Sequence, residues 1–151
     1  MIRNANVNDV PVIRELINSH AERNRMLFRS LADLYESVGS FKVFEAEGQI
    51  VGCCALHVYW SDIAEVKSLA VHDNHQGQGA GRELVKAVIE MARQYQVGRI
   101  FTLTLEKEFF VKMGFEQVPM DSLPLKVWSD CVHCPKQDCC DEIALLLELG
   151  R

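Results

Sequence analysis

The sequence predicts a mixed α/β fold, in which a central mixed sheet carries helices on both faces. Three apolar segments rich in β-branched and aromatic residues, at 41–46, 50–60 and 64–71, follow one another closely and suit neighbouring strands. The chain then alternates strand, helix and strand, an order that places a helix across one face of a sheet. A meander joined to such a crossover gives strands that run in both directions.

The N-terminal part of the chain supplies one strand and two helices. The segment Ile2-Arg-Asn-Ala at 2–5 is the expected first strand, and apolar residues at helical spacing predict a helix at 8–20. Asn8 is the expected N-cap of that helix, and Pro11 stands in its first turn, where a missing N–H is tolerated. A second helix is expected at 31–38.

The three strands of the meander are joined by short connections. A turn at 47–49 makes a hairpin of the first two strands. In the third strand the apolar positions change phase around Ser68. These positions are Ala64, Val66, Leu69 and Val71. An extra residue in one strand shifts the side-chain alternation in this way, so we expect a β-bulge at Ser68.

The remainder of the chain continues the alternation. A helix follows a glycine-rich turn and is expected to end at Gly98. After it come a strand at 99–105, a short helix at 108–113 stopped by Gly114, a strand that begins at 115, and a strand or short helix at 143–149. An irregular, cysteine-rich segment at about 119–142 separates the last two elements, and we expect residues 1–151 to form one domain.

Composition limits the class of protein. The chain has 151 residues, of which 48% are hydrophobic and 25% charged, values typical of a globular domain. Its net charge of -5 argues against nucleic acid as the main partner. No apolar run approaches the roughly 18 residues of a membrane span, and the N-terminus lacks the zones of a signal peptide. We therefore expect a cytoplasmic protein with no membrane partner.

The glycine-rich turn is the strongest functional feature. Gly77, Gly79 and Gly81 stand two residues apart, between an apolar strand and an amphipathic helix. Such a turn exposes backbone N–H groups beside a helix N-terminus, which suits a phosphate group. The spacing excludes the dinucleotide fingerprint Gly-x-Gly-x-x-Gly, and Arg82 follows where a P-loop requires Lys-Ser/Thr.

Two motifs together resemble the GNAT superfamily of N-acetyltransferases. The first is Gln76-Gly-Gln-Gly-Ala-Gly81 after a Leu-Ala-Val strand, and the second is the aromatic helix and Gly-Phe turn at 109–115. The resemblance implies a GNAT-like fold in which the turn binds the pyrophosphate of acetyl-CoA and a splayed strand binds its pantetheine arm. The residues expected to bind acetyl-CoA are Leu69, Ala70, Val71, Gln76, Gly77, Gln78, Gly79, Ala80, Gly81, Arg82 and Phe109.

A closer resemblance runs along nearly the whole chain. The segments 2–5, 26–30, 51–56, 64–71, 101–104 and 123–128 resemble the acetyltransferase domain of bacterial N-acetylglutamate synthases, in particular their short stand-alone form. This similarity implies acetylation of the α-amine of L-glutamate, the first step of arginine synthesis. Its partner would be a small-molecule amine, and homodimers are common among such enzymes.

Glutamate carries two carboxylates, so its site needs cations. Arg29, Lys67 and Ser68 are the expected acceptor-site residues, although Arg29 and Lys67 also suit ordinary surface charges. The chain departs from the longer synthases after Thr104, where Glu106 would repel glutamate and Lys107 would help only if it pointed inward. Two alternatives therefore stay open: an acetyltransferase acting on another amine, and a non-catalytic acetyl-CoA-binding regulatory module.

Acetyl transfer requires a neutral amine, so a general base is expected. Glu65, on the strand before the glycine turn, is the candidate, and its alternative is an exposed strand carboxylate. Phe110 stands where many GNAT enzymes carry a tyrosine acid, and it has no proton to donate. Tyr59 or Ser68 would replace that acid, or the thiolate leaves unaided.

The cysteines fall into two groups. Cys53 and Cys54 lie in an apolar strand and are expected to be buried and inert. Cys131, Cys134 and Cys140 have spacing that suits a structural zinc ion, with Cys139 or His133 as a further ligand. Free thiols or a disulfide between neighbours are the alternatives.

Overall fold

The computed structural model describes residues 1–23, 28–123 and 143–150. Its strands are β1 (Ile2–Asn4), β2 (Phe41–Ala46), β3 (Gln49–Trp60), β4 (Ile63–Val71), β5 (Arg99–Thr104), β6 (Glu116–Val118) and β7 (Ile143–Glu148). Its α-helices are α1 (Val10–Ala21), α2 (Leu31–Glu36), α3 (Ala80–Gln94) and α4 (Lys107–Val111). The described strands form one seven-stranded sheet of order β1-β2-β3-β4-β5-β7-β6.

The sheet is mixed, as the sequence predicts. Its first four strands form an antiparallel meander, β4 and β5 are parallel, and β5, β7 and β6 are again antiparallel. The segment 143–149, for which the sequence left strand or helix open, contains a strand. It pairs with β5 along its whole length and carries β6 on its other edge.

Helix α1 begins differently from the prediction. Asn6, not Asn8, is the cap: its side chain accepts from the Asn8 amide at 3.0 Å, and Asp9 accepts from the Asn6 amide at 2.8 Å. This reciprocal cap opens a 3-10 turn that runs directly into α1. Asp9 also receives two hydrogen bonds from Arg3 on β1, a long-range contact that favours this start.

Helices cover both faces of the sheet. Helices α1 and α2 pack on one face and share a core with β2, β3 and β4. That core contains Val10, Ile13, Leu16, Ile17, Leu34, Phe41, Val43, Cys53, Ala55 and Ala70. Helices α3 and α4 pack on the other face, and their core includes Cys54, Leu56, Val66, Leu84, Val85, Val88, Ile100, Phe110 and Phe115. The two layers bury the adjacent Cys53 and Cys54 in opposite cores, as expected.

Helix α3 ends before Gly98, where the sequence placed its end. Its last residue is Gln94, and Gln96 adopts a left-handed conformation with φ +64°. The amides of Gln96 and Val97 donate to the helix carbonyls of Arg93 and Ala92. These bonds close the helix, so a glycine is not required at its end.

Candidate active site

The paired part of β4 and β5 ends at Glu65. The two parallel strands are in register over three residues each, and the last pair is Glu65 with Phe101. Beyond this pair, in the part of the chain that the structure describes, the hydroxyl of Thr102 donates a hydrogen bond to the carbonyl oxygen of Val66 at 3.1 Å. The strands therefore diverge and leave a gap at the carboxyl end of β4, as the resemblance implied.

A β-bulge interrupts β4 at the edge of this gap. Ser68 has φ +57°, in the left-handed region. Lys67 pairs with Ala55 of β3, and the next pair is Ala70 with Cys53. Between these two pairs, β4 contains one residue more than β3. The bulge predicted from the apolar phase is therefore confirmed, and it exchanges the faces to which the following side chains point.

The bulge also decides which backbone groups face the gap. The amide of His72 donates to the carbonyl of Val51 on β3 at 2.7 Å. Alternation along the strand then directs the amides of Leu69 and Val71 away from β3, toward the gap. The backbone of Ala70 faces β3, so its predicted contact with acetyl-CoA cannot be a backbone hydrogen bond of this edge.

The carbonyl oxygen of Val71 is held by two side chains. Nε2 of His20, in the last turn of α1, lies 2.9 Å from it, and Nε2 of Gln76 donates to it at 3.1 Å. Gln76 also donates to Asp73 at 3.2 Å, and Asp73 forms an ion pair with Arg23. The side chain of Gln76 thus braces the strand end and the start of the glycine turn.

The glycine turn has the conformation that its composition predicts. Gly77 and Gly79 have φ of +80° and +87°, and Gly79 caps α3. The amides of Ala80, Gly81 and Arg82 follow in the first helical turn, where a helix offers no internal acceptors. Three donors beside a positive helix end therefore suit a pyrophosphate.

The two sequence motifs meet in the structure. A Cβ atom at Gly81 would lie 3.5 Å from the ring of Phe109, so this ring packs against the glycine turn. Phe110 points into the core instead, where its ring meets that of Phe115 at a centroid distance of 5.3 Å. Phe109 therefore lies beside the predicted cofactor site, whereas Phe110 is buried away from it and has no proton to donate.

Arg29 reaches the bulge from the start of α2. Its guanidinium donates to both carboxylate oxygens of Asp33, at 2.6 and 3.1 Å, and to the hydroxyl of Ser37 at 3.0 Å. It also donates to the hydroxyl of Ser68 at 2.9 Å and lies over the ring of Phe41, 5.3 Å from its centroid. Arg29 is thus a rigid, half-buried cation beside the gap.

Asp33 links Arg29 to the other charges of this face. Hydrogen bonding from Arg29 holds the pKa of the Asp33 carboxyl below its usual range, and the nearby charges of Lys67 and His57 add to the effect. Lys67 stands on β4, one residue before the bulge. The structure therefore brings Arg29, Lys67 and Ser68 together, as the sequence predicts for an acceptor site.

Glu65 is buried, with 7% of its surface exposed, so the alternative of an exposed strand carboxylate is excluded. The hydroxyl of Tyr59 on β3 donates to Glu65 Oε1 at 2.9 Å. Glu65 lies on the same face of β4 as Lys67, and its position is the last before the strands diverge. Glu65 therefore places a buried carboxylate at the edge of the gap.

The remaining candidates lie elsewhere. Glu106 and Lys107 are both exposed at the start of α4. The cysteines proposed as zinc ligands, Cys131, Cys134 and Cys140, lie outside the described residues, and zinc there stays a prediction. Within the described ranges, no group of three or more His, Cys, Asp or Glu side chains is arranged to hold a metal ion.

Sequence reasoning missed the residues that hold the site in place. His20 braces the end of β4, and Asp33 and Ser37 fix Arg29. The four-residue spacing of Arg29 and Asp33 is the usual spacing of an ion pair at a helix surface, and it could have indicated their contact. The contact of His20 with Val71 joins positions 51 residues apart, and no local pattern predicts it.

The family model of the Acetyltransferase (GNAT) family matches residues 12–115, which include the gap, the glycine turn and Phe109. This chain belongs to the GNAT family of acetyltransferases. The predicted family and its mixed α/β fold are therefore confirmed. Among the described parts of this GNAT acetyltransferase, no helix has the length and apolar character needed to cross a bilayer.

Relatives of this GNAT protein include enzymes of similar length. An uncharacterised N-acetyltransferase of Chlorobaculum tepidum is 36% identical over 98% of this chain and 96% of its own length. An amino-acid acetyltransferase of Mycobacterium tuberculosis is 37% identical over 86% of this chain and 76% of its own length.

Two solved structures similar to this GNAT protein contain coenzyme A. The crystal structure of Rv2747 from Mycobacterium tuberculosis, in complex with CoA and NLQ, superposes with a TM-score of 0.87 at 32% identity, over 99% of both chains. The N-acetylglutamate synthase of Neisseria gonorrhoeae, complexed with coenzyme A and N-acetyl-glutamate, has a TM-score of 0.90 at 30% identity. All of this chain matches, and it spans 35% of that synthase.

Proposed function

We propose that this GNAT protein transfers the acetyl group of acetyl-CoA to the α-amine of an amino acid, with L-glutamate the favoured acceptor. One observation carries the proposal. The gap between β4 and β5 has the glycine turn at one end and Glu65, Lys67 and Arg29 at its edge. Similarity to a structure that holds coenzyme A and N-acetyl-glutamate supports the same pairing of ligands here.

Acetyl-CoA would enter along the carboxyl end of β4. The amides at the start of α3 would bind its pyrophosphate, and Phe109 would lie beside it. The pantetheine arm would run along the edge of β4, where the amides of Leu69 and Val71 face the gap, in the manner of an added strand. This course brings the thioester to the bulge at Ser68.

The acceptor would bind on the α1 and α2 side of the gap. Arg29 uses four of its five N–H groups on Asp33, Ser37 and Ser68, so it offers a carboxylate a fixed donor on Nη1. Its charge is balanced by Asp33, whereas Lys67 is one of the cations that lower the pKa of Asp33. Lys67 therefore supplies a second cation for an anionic amino acid.

The reaction removes two protons from the substrate nitrogen, forms one C–N bond and breaks one C–S bond. Glu65 would accept a proton from the substrate ammonium, which frees the lone pair on nitrogen. The amine then attacks the acetyl carbonyl carbon, a C–N bond forms, and the C–S bond breaks with its electrons on sulfur. The nitrogen loses its second proton to solvent and becomes the amide nitrogen. A thiol pKa near 8.5 makes CoA thiolate a tolerable leaving group without an acid.

The test is an acetyl-transfer assay with acetyl-CoA and a panel of amines: L-glutamate, other amino acids, a polyamine and a peptide N-terminus. Acetylated product is followed by mass spectrometry, since six protein thiols would disturb a thiol readout. We expect product with L-glutamate at the highest kcat/KM. Preference for the polyamine or peptide would contradict the amino-acid acceptor, and acetyl-CoA binding without any product would indicate a regulatory module.

Lys67→Met tests the acceptor side of the same assay. We expect the KM for L-glutamate to rise about tenfold or more, equivalent to ~1.4 kcal/mol, with the KM for acetyl-CoA unchanged. Lys86→Met is the matched control, because Lys86 is an exposed lysine on α3 whose described ion pair is with Glu83. Equal kinetics for the two variants would remove Lys67 from the acceptor site.

A further inference from the structure

The hydrogen bond between Tyr59 and Glu65 joins two strands beside the gap. We propose that Tyr59 is a positioning residue that orients Glu65 and keeps its carboxylate ionised for proton removal, and this inference rests on the proposed role of Glu65 as base. The two oxygens are 2.9 Å apart, and Glu65 is buried. A phenol is protonated at neutral pH, so between these two groups it is Tyr59 that donates.

The ring of Tyr59 is held in place by its neighbours. Its centroid lies 4.5 Å from that of His57 in an edge-to-face arrangement and 5.7 Å from that of Phe101. Phe101 is the register partner of Glu65 on β5, and His57 is its partner on β3. Rings from β3 and β5, the two neighbours of β4, thus hold the Tyr59 side chain with its hydroxyl toward Glu65. Because the side chain is already held, the hydrogen bond costs little conformational entropy.

Burial alone would disfavour an ionised Glu65. A carboxylate removed from water binds its proton more tightly, whereas a hydrogen bond donated to the charged form weakens proton binding. Tyr59 supplies such a bond, and an ionised carboxylate has about four acceptor sites, so accepting from Tyr59 is compatible with receiving a proton from the substrate. In each turnover one ammonium proton passes to Glu65, and the amine forms its C–N bond. The C–S bond of acetyl-CoA then breaks with its electrons on sulfur, and the nitrogen loses its second proton to solvent.

Other charged groups face the same carboxylate and must be separated from Tyr59. His57 lies on β3 directly opposite Glu65, and Lys67 lies two residues after Glu65 on the same face of β4. Asp33 of α2 interacts electrostatically with both of them. The neighbours of Glu65 on β5, Phe101 and Thr102, carry no charge. His57 is therefore tested separately, because imidazole is the side chain whose ordinary pKa lies nearest neutral pH.

The experiment compares the pH dependence of kcat/KM for wild type, Tyr59→Phe, His57→Gln and Glu65→Gln, with Tyr95→Phe as the control. Tyr95 is exposed at the end of α3, and the phenylalanine at position 59 keeps the packed ring. We expect Tyr59→Phe to move the acidic limb upward by about one pH unit, with the KM for acetyl-CoA unchanged. Tyr95→Phe should keep the limb in place. An acidic limb that persists in His57→Gln, even if shifted, belongs to Glu65, whereas its loss in that variant would overturn the assignment.

The outcomes distinguish the role of Tyr59 from the proposed role of Glu65 as base. A slow Glu65→Gln variant together with an unmoved acidic limb in Tyr59→Phe would overturn the role of Tyr59 alone. Loss of the basic limb in Tyr59→Phe would also overturn it, since that result belongs to a general acid. Full activity in Glu65→Gln would overturn the proposed base, and the inference with it.

Discussion

At the scale of single residues, burial makes the two adjacent thiols of β3 unreactive. Cys53 and Cys54 are fully buried in opposite cores. Burial raises the pKa of the Cys53 thiol to about 12 and raises that of Cys54 as well, because a thiolate loses its hydration there. Since the thiolate is the reactive form, neither cysteine suits a nucleophile, although Ser68 of the site lies close to Cys53.

This burial predicts a protection pattern. When the folded protein is treated with iodoacetamide at pH 8, Cys53 and Cys54 should stay unmodified over the time in which they are fully alkylated in denaturant. At a pKa near 12, only about one thiol in ten thousand is ionised at that pH. Peptide mapping by mass spectrometry measures each site, and alkylation of either residue at the denatured rate would contradict the burial.

The acceptor residues show where prediction from sequence succeeds and where it stops. Arg29, Lys67 and Ser68 were expected near the acceptor, and the structure brings them together. That Asp33 balances the charge of Arg29 depends on how α2 packs beside the bulge, and only the fold shows it. Sequence thus indicates which charges are present, and packing decides which of them a substrate meets.

At the scale of elements, α3 approaches β3 closely at a glycine. A Cβ atom at Gly52 would lie 2.9 Å from Cδ1 of the buried Leu84 and 3.4 Å from both the carbonyl of Ala70 and a methyl group of Val71. Real Cβ contacts are not so short, so a side chain at position 52 requires the buried Leu84 side chain to shift within a packed core. The same helix carries the glycine turn at its N-terminus.

Gly52→Ala should therefore lower the free energy of unfolding by about 1–3 kcal/mol through overpacking. Leu84→Val removes one buried methylene and should cost about 1 kcal/mol alone. In the double variant with Gly52→Ala, the smaller valine should recover part of the stability that Gly52→Ala loses. Gly39→Ala is the matched control, since a Cβ there meets nothing within 4 Å. Denaturant unfolding measures all four variants, and additive effects of the first two would contradict the close approach.

Most elements were predictable because their apolar periods are local. The strands of the meander, the bulge and the helix after the glycine turn all follow from alternation or helical spacing. The ends of helices were harder. The start of α1 depends on Arg3 reaching Asp9 from another element, and the end of α3 uses Gln96 in a left-handed conformation that usually favours glycine.

At the scale of the whole molecule, the gap lies where the two helical layers meet the sheet. Helix α2 brings Arg29 to the bulge from one face, and α3 begins on the other face with the glycine turn. A ligand that runs along β4 would contact both layers at once. Binding of acetyl-CoA should therefore stabilise the fold as a unit, through the general linkage between binding and unfolding.

Acetyl-CoA at 100 times its Kd should add about 2.7 kcal/mol to the free energy of unfolding. For a chain of this size, that corresponds to a rise in Tm of roughly 5–10 °C, measurable by differential scanning calorimetry.

Gly79→Ala should lower the Tm of the free protein, because alanine is strained at φ +87°. It should also reduce the rise in Tm that acetyl-CoA produces, because the amides of the turn shift. Gly48→Ala is the matched control: Gly48 has a similar φ of +77° in the turn between β2 and β3, and a Cβ there meets nothing within 4 Å. It should lower the free Tm by a similar amount and keep the full acetyl-CoA response, whereas equal responses from the two variants would place the pyrophosphate elsewhere.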